Sequence, residues 1–110
     1  MLKFSYDGSI YLTRGDSATI KINLKNKDTN RVHVLDPMDK LTFTLKKSTK
    51  DTNHLFQIEV FGESVFHILQ SHTKDLEFGD YVYDVQLDTV DNDTFTVIEK
   101  SAFVVGEEVT

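Results

Sequence analysis

The sequence contains no cysteine and no tryptophan, and it has a single proline. The lack of cysteine excludes a disulfide framework, a thiolate zinc site and a cysteine nucleophile. Without tryptophan, the aromatic part of any core must come from eight phenylalanines and four tyrosines. A chain of 110 residues can bury one core without covalent staples, so we expect a single domain over residues 1–110.

Two further absences limit the partners that the sequence allows. The chain has no apolar run of about 18 residues, so we expect no membrane span. It also has no apolar stretch before Asp7, so we expect no secretory signal. Acidic residues outnumber basic ones by 18 to 12, which gives a net charge of −6. Affinity for nucleic acid depends largely on Lys and Arg that neutralise phosphates, so this balance argues against a nucleic-acid partner.

Alternation of apolar and polar residues is the dominant pattern in the chain. It is clearest in Ala18 to Leu24, Leu41 to Leu45 and Tyr81 to Leu87. Side chains of a strand point to opposite faces in turn, so each segment has one core face and one solvent face, as is typical of antiparallel sheets. Weaker strand patterns cover Met1 to Tyr6, Ile10 to Thr13, Leu55 to Val60, Val65 to Leu69, Phe95 to Ile98 and Ala102 to Val105.

These seven to nine strands predict an all-β fold, an antiparallel two-sheet immunoglobulin-like sandwich with Greek-key topology. We expect Leu55 to Val60 and Val65 to Leu69 to form a hairpin around Gly62-Glu63. We also expect Phe95 to Ile98 and Ala102 to Val105 to form the last pair of strands.

Turn residues separate the predicted strands. They occur at Asp7-Gly8, Gly15-Asp16, Lys25 to Thr29, Asp36-Pro37, Asp51 to Asn53, Gly62-Glu63 and Asp91 to Asp93. At most one helical turn fits the pattern, over Ser71 to Leu76. Ser71 or Thr73 is its expected cap, and Gly79 closes it.

The most specific local motif is Leu76-Glu77-Phe78-Gly79-Asp80-Tyr81. It resembles the tyrosine corner of Greek-key sandwiches, in which a tyrosine near the start of a strand bonds a backbone group a few residues upstream. We therefore expect the Tyr81 hydroxyl to satisfy an orphan backbone group at this corner. In the alternative interpretation, Tyr81 is a core ring whose hydroxyl lies in water.

No motif of a catalytic or metal site is present. The four histidines, His33, His54, His67 and His72, do not have metal-ligand spacing. The stretch from Asp88 to Asp93 lacks the glycine and the distal glutamate of a calcium loop, which favours a solvated hairpin loop. No nucleophile elbow or glycine-rich phosphate loop occurs. We therefore expect a protein that is not an enzyme and that needs no cofactor or metal.

Three segments carry a resemblance to a known family. The stretches YLTRGDSATIKINL, GDYVYDVQLDTVDNDTFTVI and SAFVVGEEVT are similar to small proteins of bacteriophages and prophages of Gram-positive bacteria. The chain resembles the immunoglobulin-like N-terminal domain of phage baseplate upper proteins. The matching positions are Gly15-Asp16, Gly79 to Leu87 and Glu108 to Thr110, and residues 25–60 match only in their alternation. These motifs mark turns and core strands.

The resemblance implies a structural protein of the virion, in the tail, the baseplate or an accessory position. Such a module would fold in the cytoplasm of the host bacterium and then dock on other phage structural proteins, or on itself, through sheet edges and loops. A carbohydrate-binding module for host-surface glycans is the alternative, with Tyr6, Tyr11 and Asp91 to Asp93 as parts of its site. A small enzyme is a third hypothesis, which acids or histidines meeting in one pocket would favour.

Overall fold

The computed structural model describes residues 9–24 and 34–107, and the backbone of residues 2–4. Five features of the sequence analysis lie outside the described residues: Tyr6, the Asp7-Gly8 turn, the Lys25 to Thr29 turn, His33 and the Glu108 to Thr110 terminus. Among the described residues, no helix has the length and apolar character needed to cross a membrane.

The described part of the chain forms eight strands and one short helix. They are β1 (Leu2–Phe4), β2 (Ile10–Thr13), β3 (Ala18–Lys21), β4 (Lys40–Lys46), β5 (Phe56–Phe61), β6 (Val65–Ile68), α1 (Gln70–Thr73), β7 (Gly79–Asp88) and β8 (Thr94–Gly106). Six strands form one sheet in the order β1-β2-β8-β7-β4-β5, and β3 pairs with β6 in a second, smaller sheet. The fold is all-β and sandwich-like, as the alternation predicts.

The prediction of a purely antiparallel fold is wrong at one place, because β2 runs parallel to β8. Ile10 lies opposite Phe103, and Thr13 lies opposite Gly106. Alternation fixes which side chains face the core but not the direction of the neighbouring strand. The large sheet is therefore mixed.

The predicted hairpin around Gly62-Glu63 is also wrong. β5 pairs with β4 in the large sheet, whereas β6 pairs with β3 in the small one, so the chain crosses between sheets at this turn. Gly62 has a φ of +67°, in the left-handed region that glycine adopts without steric cost. A glycine turn between two alternating segments has the same appearance in sequence whether it closes a hairpin or joins two sheets.

The last two predicted strands are one continuous strand, β8, which has 13 residues. Its register against β7 shifts twice, and the pairs run Tyr83–Ser101, Val85–Ile98 and Leu87–Phe95. Each shift places one extra, unpaired residue in β8. Two bulges therefore interrupt the alternation of β8 in sequence and leave the strand intact.

The helical turn is shorter and begins earlier than predicted, since α1 covers Gln70–Thr73. The side chain that bonds the backbone at the start of the helix is His72, whose Nδ1 accepts the Leu69 N–H at 2.9 Å. It is not the predicted Ser71 or Thr73 cap. Gly79 does not close the helix either, because it is the first residue of β7.

The core lies between the sheets and is centred on Phe43, which is fully buried. Its ring contacts Tyr83 at 5.1 Å, Phe66 at 5.7 Å, Phe56 at 6.1 Å and Phe103 at 6.3 Å between centroids. Phe66 belongs to the small sheet and the other rings belong to the large one. One phenylalanine thus joins the two sheets.

We predict that Phe43→Ala lowers the free energy of unfolding by about 3–5 kcal/mol, because it leaves a cavity at the centre of the aromatic cluster. Urea denaturation measures this loss. Phe95→Ala is the matched control: that ring is 53% exposed, and its loss should change stability by no more than about 0.5 kcal/mol. Equal losses in the two variants would contradict the central role of Phe43.

Candidate functional site

The corner before β7 has the contact that its motif predicts. The hydroxyl of Tyr81 donates to the carbonyl oxygen of Glu77 at 2.7 Å, four residues upstream, and the ring is buried. Gly79 begins the strand with a φ of +136°, a conformation that side chains rarely allow. The phenol thus fills the core and satisfies a carbonyl of the crossing between sheets.

The Gly15-Asp16 turn lies at the same end of the molecule. The Asp16 N–H donates to the Thr13 carbonyl at 3.0 Å, and Gly15 takes a φ of +85° in this turn. The Gly15 N–H donates to Oγ1 of Thr73, a fully buried side chain, at 3.1 Å. The four residues singled out from the sequence, Gly15, Asp16, Gly79 and Tyr81, therefore lie at the same end of the molecule, where the hydrogen bonds described above support turns and a strand start.

The opposite end is built around a residue that the sequence analysis missed, Asp39. Its carboxylate is buried, with 4% of the residue exposed. One oxygen, Oδ2, accepts the Asp36 N–H at 3.0 Å, and the other, Oδ1, accepts the Val90 N–H at 3.0 Å. The Asp39 carbonyl also accepts the Gly62 N–H at 2.8 Å. One residue thus ties together three connections that are far apart in sequence.

Local chemistry explains how Asp39 reaches this position. The Asp39 N–H donates to the Asp36 carbonyl at 2.9 Å, which closes a β-turn with Pro37 at its second position. Oδ1 of Asp36 accepts the Met38 N–H at 3.0 Å and supports the same turn. A Cβ on Gly62 would lie 2.9 Å from Pro37 Cα, so glycine permits the close approach of the two backbones. The spacing Asp-Pro-x-Asp is the one feature of the sequence that indicates this turn.

The third connection is the hairpin loop between β7 and β8, where the Asp91 to Asp93 turn was predicted. The Thr89 N–H donates to the Asp93 carbonyl at 2.8 Å, and the Asp93 N–H donates to Oγ1 of Thr89 at 3.2 Å. Asn92 has a φ of +66°, as a three-residue hairpin loop with a left-handed residue requires. The loop is therefore closed on itself and attached to Asp39 through Val90.

This end exposes apolar side chains on or beside turns that are closed by hydrogen bonds. Val34 is 84% exposed, Met38 67% and Val90 47%. We call the surface formed by these three residues and the turns around Asp39 the Asp39 end. The acidic side chains of its turns and of the adjoining strand ends are Asp36, Glu63, Asp88, Asp91 and Asp93. Lys40 forms an ion pair with Asp88, with 3.9 Å between Nζ and Oδ2. The acidic side chains outnumber this lysine, so the described part of this end is acidic overall.

The residues considered for metal binding have other contacts. Asp88 Oδ1 accepts the Thr94 hydroxyl at 2.8 Å, and His72 Nδ1 accepts the Leu69 N–H. Nδ1 of His67 lies 3.3 Å from Oγ1 of Thr19 on the small sheet. Over the described residues, no three His, Asp or Glu side chains come together as a metal would require.

The residues considered for a glycan site are separated. Tyr11 lies opposite Val104, which pairs with Asp80 at the start of β7. Asp91 to Asp93 follow Asp88, the last residue of the same strand. Asp88 is eight residues from Asp80, or about 26 Å at the rise of an extended strand. Tyr11 and this loop therefore do not line one sugar site.

A shallow depression of about 110 Å³ lies on the outer face of the large sheet. Its lining is Thr44, Lys46, Thr49, Val82, Tyr83, Asp84 and Lys100. Pockets that enclose a drug-sized ligand have volumes of roughly 300–1,000 Å³, so this depression fits a few waters or a small ion at most.

Comparisons of this chain with protein-family models, with curated proteins and with solved structures find no match. The resemblance to phage proteins therefore rests on the motifs of the chain itself.

We predict that Tyr81→Phe lowers the free energy of unfolding by about 1–2 kcal/mol, because the Glu77 carbonyl loses its donor in a partly buried corner. Thermal or urea denaturation measures the change. Tyr11→Phe removes a hydroxyl from a half-exposed ring and serves as the control, with little expected effect. A Tyr81→Phe denaturation curve identical to that of the wild type would contradict the assignment of Tyr81 to a tyrosine corner.

We predict that Asp39→Asn costs about 1–3 kcal/mol, because the amide keeps one acceptor and turns an NH₂ group towards the second N–H donor. Hydrogen exchange should show faster exchange of the Val90 amide, together with the lower stability in urea. Asp91→Asn makes the same charge change on the exposed part of the loop and should affect neither measurement. Unchanged Val90 protection in Asp39→Asn would contradict the role of the carboxylate.

Proposed function

We propose that this protein is a non-enzymatic structural module of a bacteriophage or prophage particle, which docks on another virion protein through the Asp39 end. The proposal places it in the host bacterial cytoplasm during assembly and afterwards in the tail or baseplate. The observation that carries it is the exposure of Met38 and Val90 on turns that a buried carboxylate holds together, with Val34 exposed two residues before the first of these turns. Apolar side chains grouped on one surface are typical of interaction sites.

We further propose that the sandwich is of the immunoglobulin type with Greek-key connections. Four crossings between the two sheets support this assignment: β2 to β3, β3 to β4, β5 to β6 and β6 to β7. The hydrogen bond from Tyr81 to Glu77 at the last crossing supports it as well. A sandwich of this type presents its loops at two ends, which suits end-on docking.

The Asp39 end favours docking because its shape is set before a partner arrives. The turn at Asp36–Asp39 and the loop at Thr89–Asp93 are each closed by internal hydrogen bonds, so association orders little backbone. The acidic side chains around the apolar residues favour a partner with an apolar patch ringed by Lys and Arg. Such complementarity increases the association rate and the selectivity for the partner.

We predict that the tagged protein is present in purified virus particles made by the bacterium whose genome carries the gene. The double variant Met38→Ser, Val90→Ser should lower its abundance in particles about tenfold, since loss of apolar anchors costs binding more than 1 kcal/mol. Quantitative mass spectrometry of the particles measures this ratio against the major tail protein.

Leu69→Ser is the control for this experiment, because Leu69 is equally exposed but lies at the opposite end of the molecule. It should enter particles at the wild-type level. Particles that lack the wild-type protein would overturn the proposed function. Normal incorporation of the double variant would exclude the Asp39 end as the docking surface.

A further inference from the structure

Among the described residues, the strand β5 has a neighbouring strand on only one side of its backbone. It is the last strand of the six-stranded sheet, and no other strand of the described residues pairs with its outer side. The Gly62 N–H donates to the Asp39 carbonyl, at the start of β4. This bond shows which residues of β5 direct their backbone N–H and C=O groups towards β4. Backbone groups of an antiparallel strand alternate in direction, so Gln57, Glu59 and Phe61 direct theirs outward.

This edge has few of the features that prevent edge strands from pairing. Its sequence, FQIEVF, contains no proline and no lysine, and Glu59 is its only charged residue. The Leu55 N–H donates to the carbonyl of Leu45, although Leu45 lies opposite Phe56 in the register. The pairing of the strand is therefore irregular where the strand begins. From Phe56 to Phe61 the register against β4 is regular.

We propose that β5 pairs antiparallel with β5 of a second copy of this chain, which joins the two large sheets into one continuous sheet. Outward-directed residues must lie opposite one another in such a pair, and the two copies are related by a two-fold axis. With an overlap of three residues or more, these conditions allow four registers, with Gln57 opposite Gln57, Gln57 opposite Glu59, Glu59 opposite Glu59, or Glu59 opposite Phe61 of the second copy.

Charge and overlap select the second register. In the first and the fourth, the regular strands overlap over only three residues, Phe56 to Ile58 and Glu59 to Phe61. In the third, two carboxylates lie directly opposite each other, which is unfavourable. In the second, the overlap extends from Phe56 to Val60, and each Gln57 lies opposite a Glu59. The Gln57 Nε2 donates to Oγ1 of Thr44 in its own chain at 3.0 Å, so its second N–H is the one available to the Glu59 carboxylate of the other copy. Ile58 then lies beside its own copy.

The apolar face of the edge gains cover in the same register. Phe56, Ile58 and Val60 point towards the core and remain only partly buried at the end of the sheet. In the dimer, Phe56 of one copy lies opposite Val60 of the other. The interface therefore combines backbone hydrogen bonds, two amide–carboxylate pairs and an extension of the core. It does not involve the Asp39 end and does not depend on the proposed docking function.

The test is sedimentation equilibrium of the purified full chain with charge changes at Gln57. Gln57→Lys places a lysine opposite each Glu59 and should lower the dimer dissociation constant about three- to tenfold, whereas Gln57→Glu should raise it by a similar factor. Both effects should shrink at high salt. Gln86→Lys and Gln86→Glu make the same charge changes at an exposed position in the central strand β7 and should leave the constant unchanged.

Cysteine crosslinking tests the register independently, because the native chain has no cysteine. Residues at position 58 form a non-hydrogen-bonded pair in the selected register, with about 4.5 Å between Cα atoms, which suits a disulfide. Mild oxidation should convert Ile58→Cys, but not Gln86→Cys, to a covalent dimer. A wild-type chain that stays monomeric to millimolar concentration would overturn the proposal, as would a dimer that Gln57 charges do not affect.

Discussion

The contact between Phe43 and Phe66 joins the two sheets, and the rest of the structure depends on it. Phe43 lies in β4 of the large sheet and Phe66 in β6 of the small one, and both are fully buried. The chain has no cysteine, so no disulfide joins the sheets, and the burial of apolar side chains between them holds them face to face. Phe56, Tyr83 and Phe103 complete the cluster from other strands of the large sheet, so the sandwich is stabilised by rings that come from five different strands.

The two ends of the sandwich satisfy their backbone groups in different ways. At one end, the Tyr81 hydroxyl bonds a carbonyl four residues away, and the Thr73 hydroxyl accepts an N–H from Gly15. At the other end, the carboxylate of Asp39 accepts two N–H groups from separate turns. A carboxylate accepts more hydrogen bonds than a hydroxyl does, and bonds to a charged acceptor are the stronger ones. The Asp39 end can therefore expose apolar side chains on turns that remain fixed.

The extent to which the sequence predicts this structure differs from element to element. The alternation in β4 and β7 predicts both their existence and their core faces, because these two strands pair with each other without a register shift. In β8 the two bulges interrupt the alternation near Ile98, and one long strand has the sequence pattern of two short ones. The tyrosine corner is readable because its contact spans four residues. The contacts of Asp39 with Gly62 and Val90 are not, since these residues are far from it in sequence, Val90 by 51 residues.

The sequence by itself determined which segments are extended and which side chains face the core, because the period of a strand is a local property. It also determined the special turns at Gly15 and Gly79, where a positive φ favours glycine. Only the tertiary structure decided that β2 lies parallel to β8, that β5 and β6 belong to different sheets, and that Asp39 connects three turns. These pairings depend on which distant segments bury the most apolar surface together, and a local pattern does not contain that information.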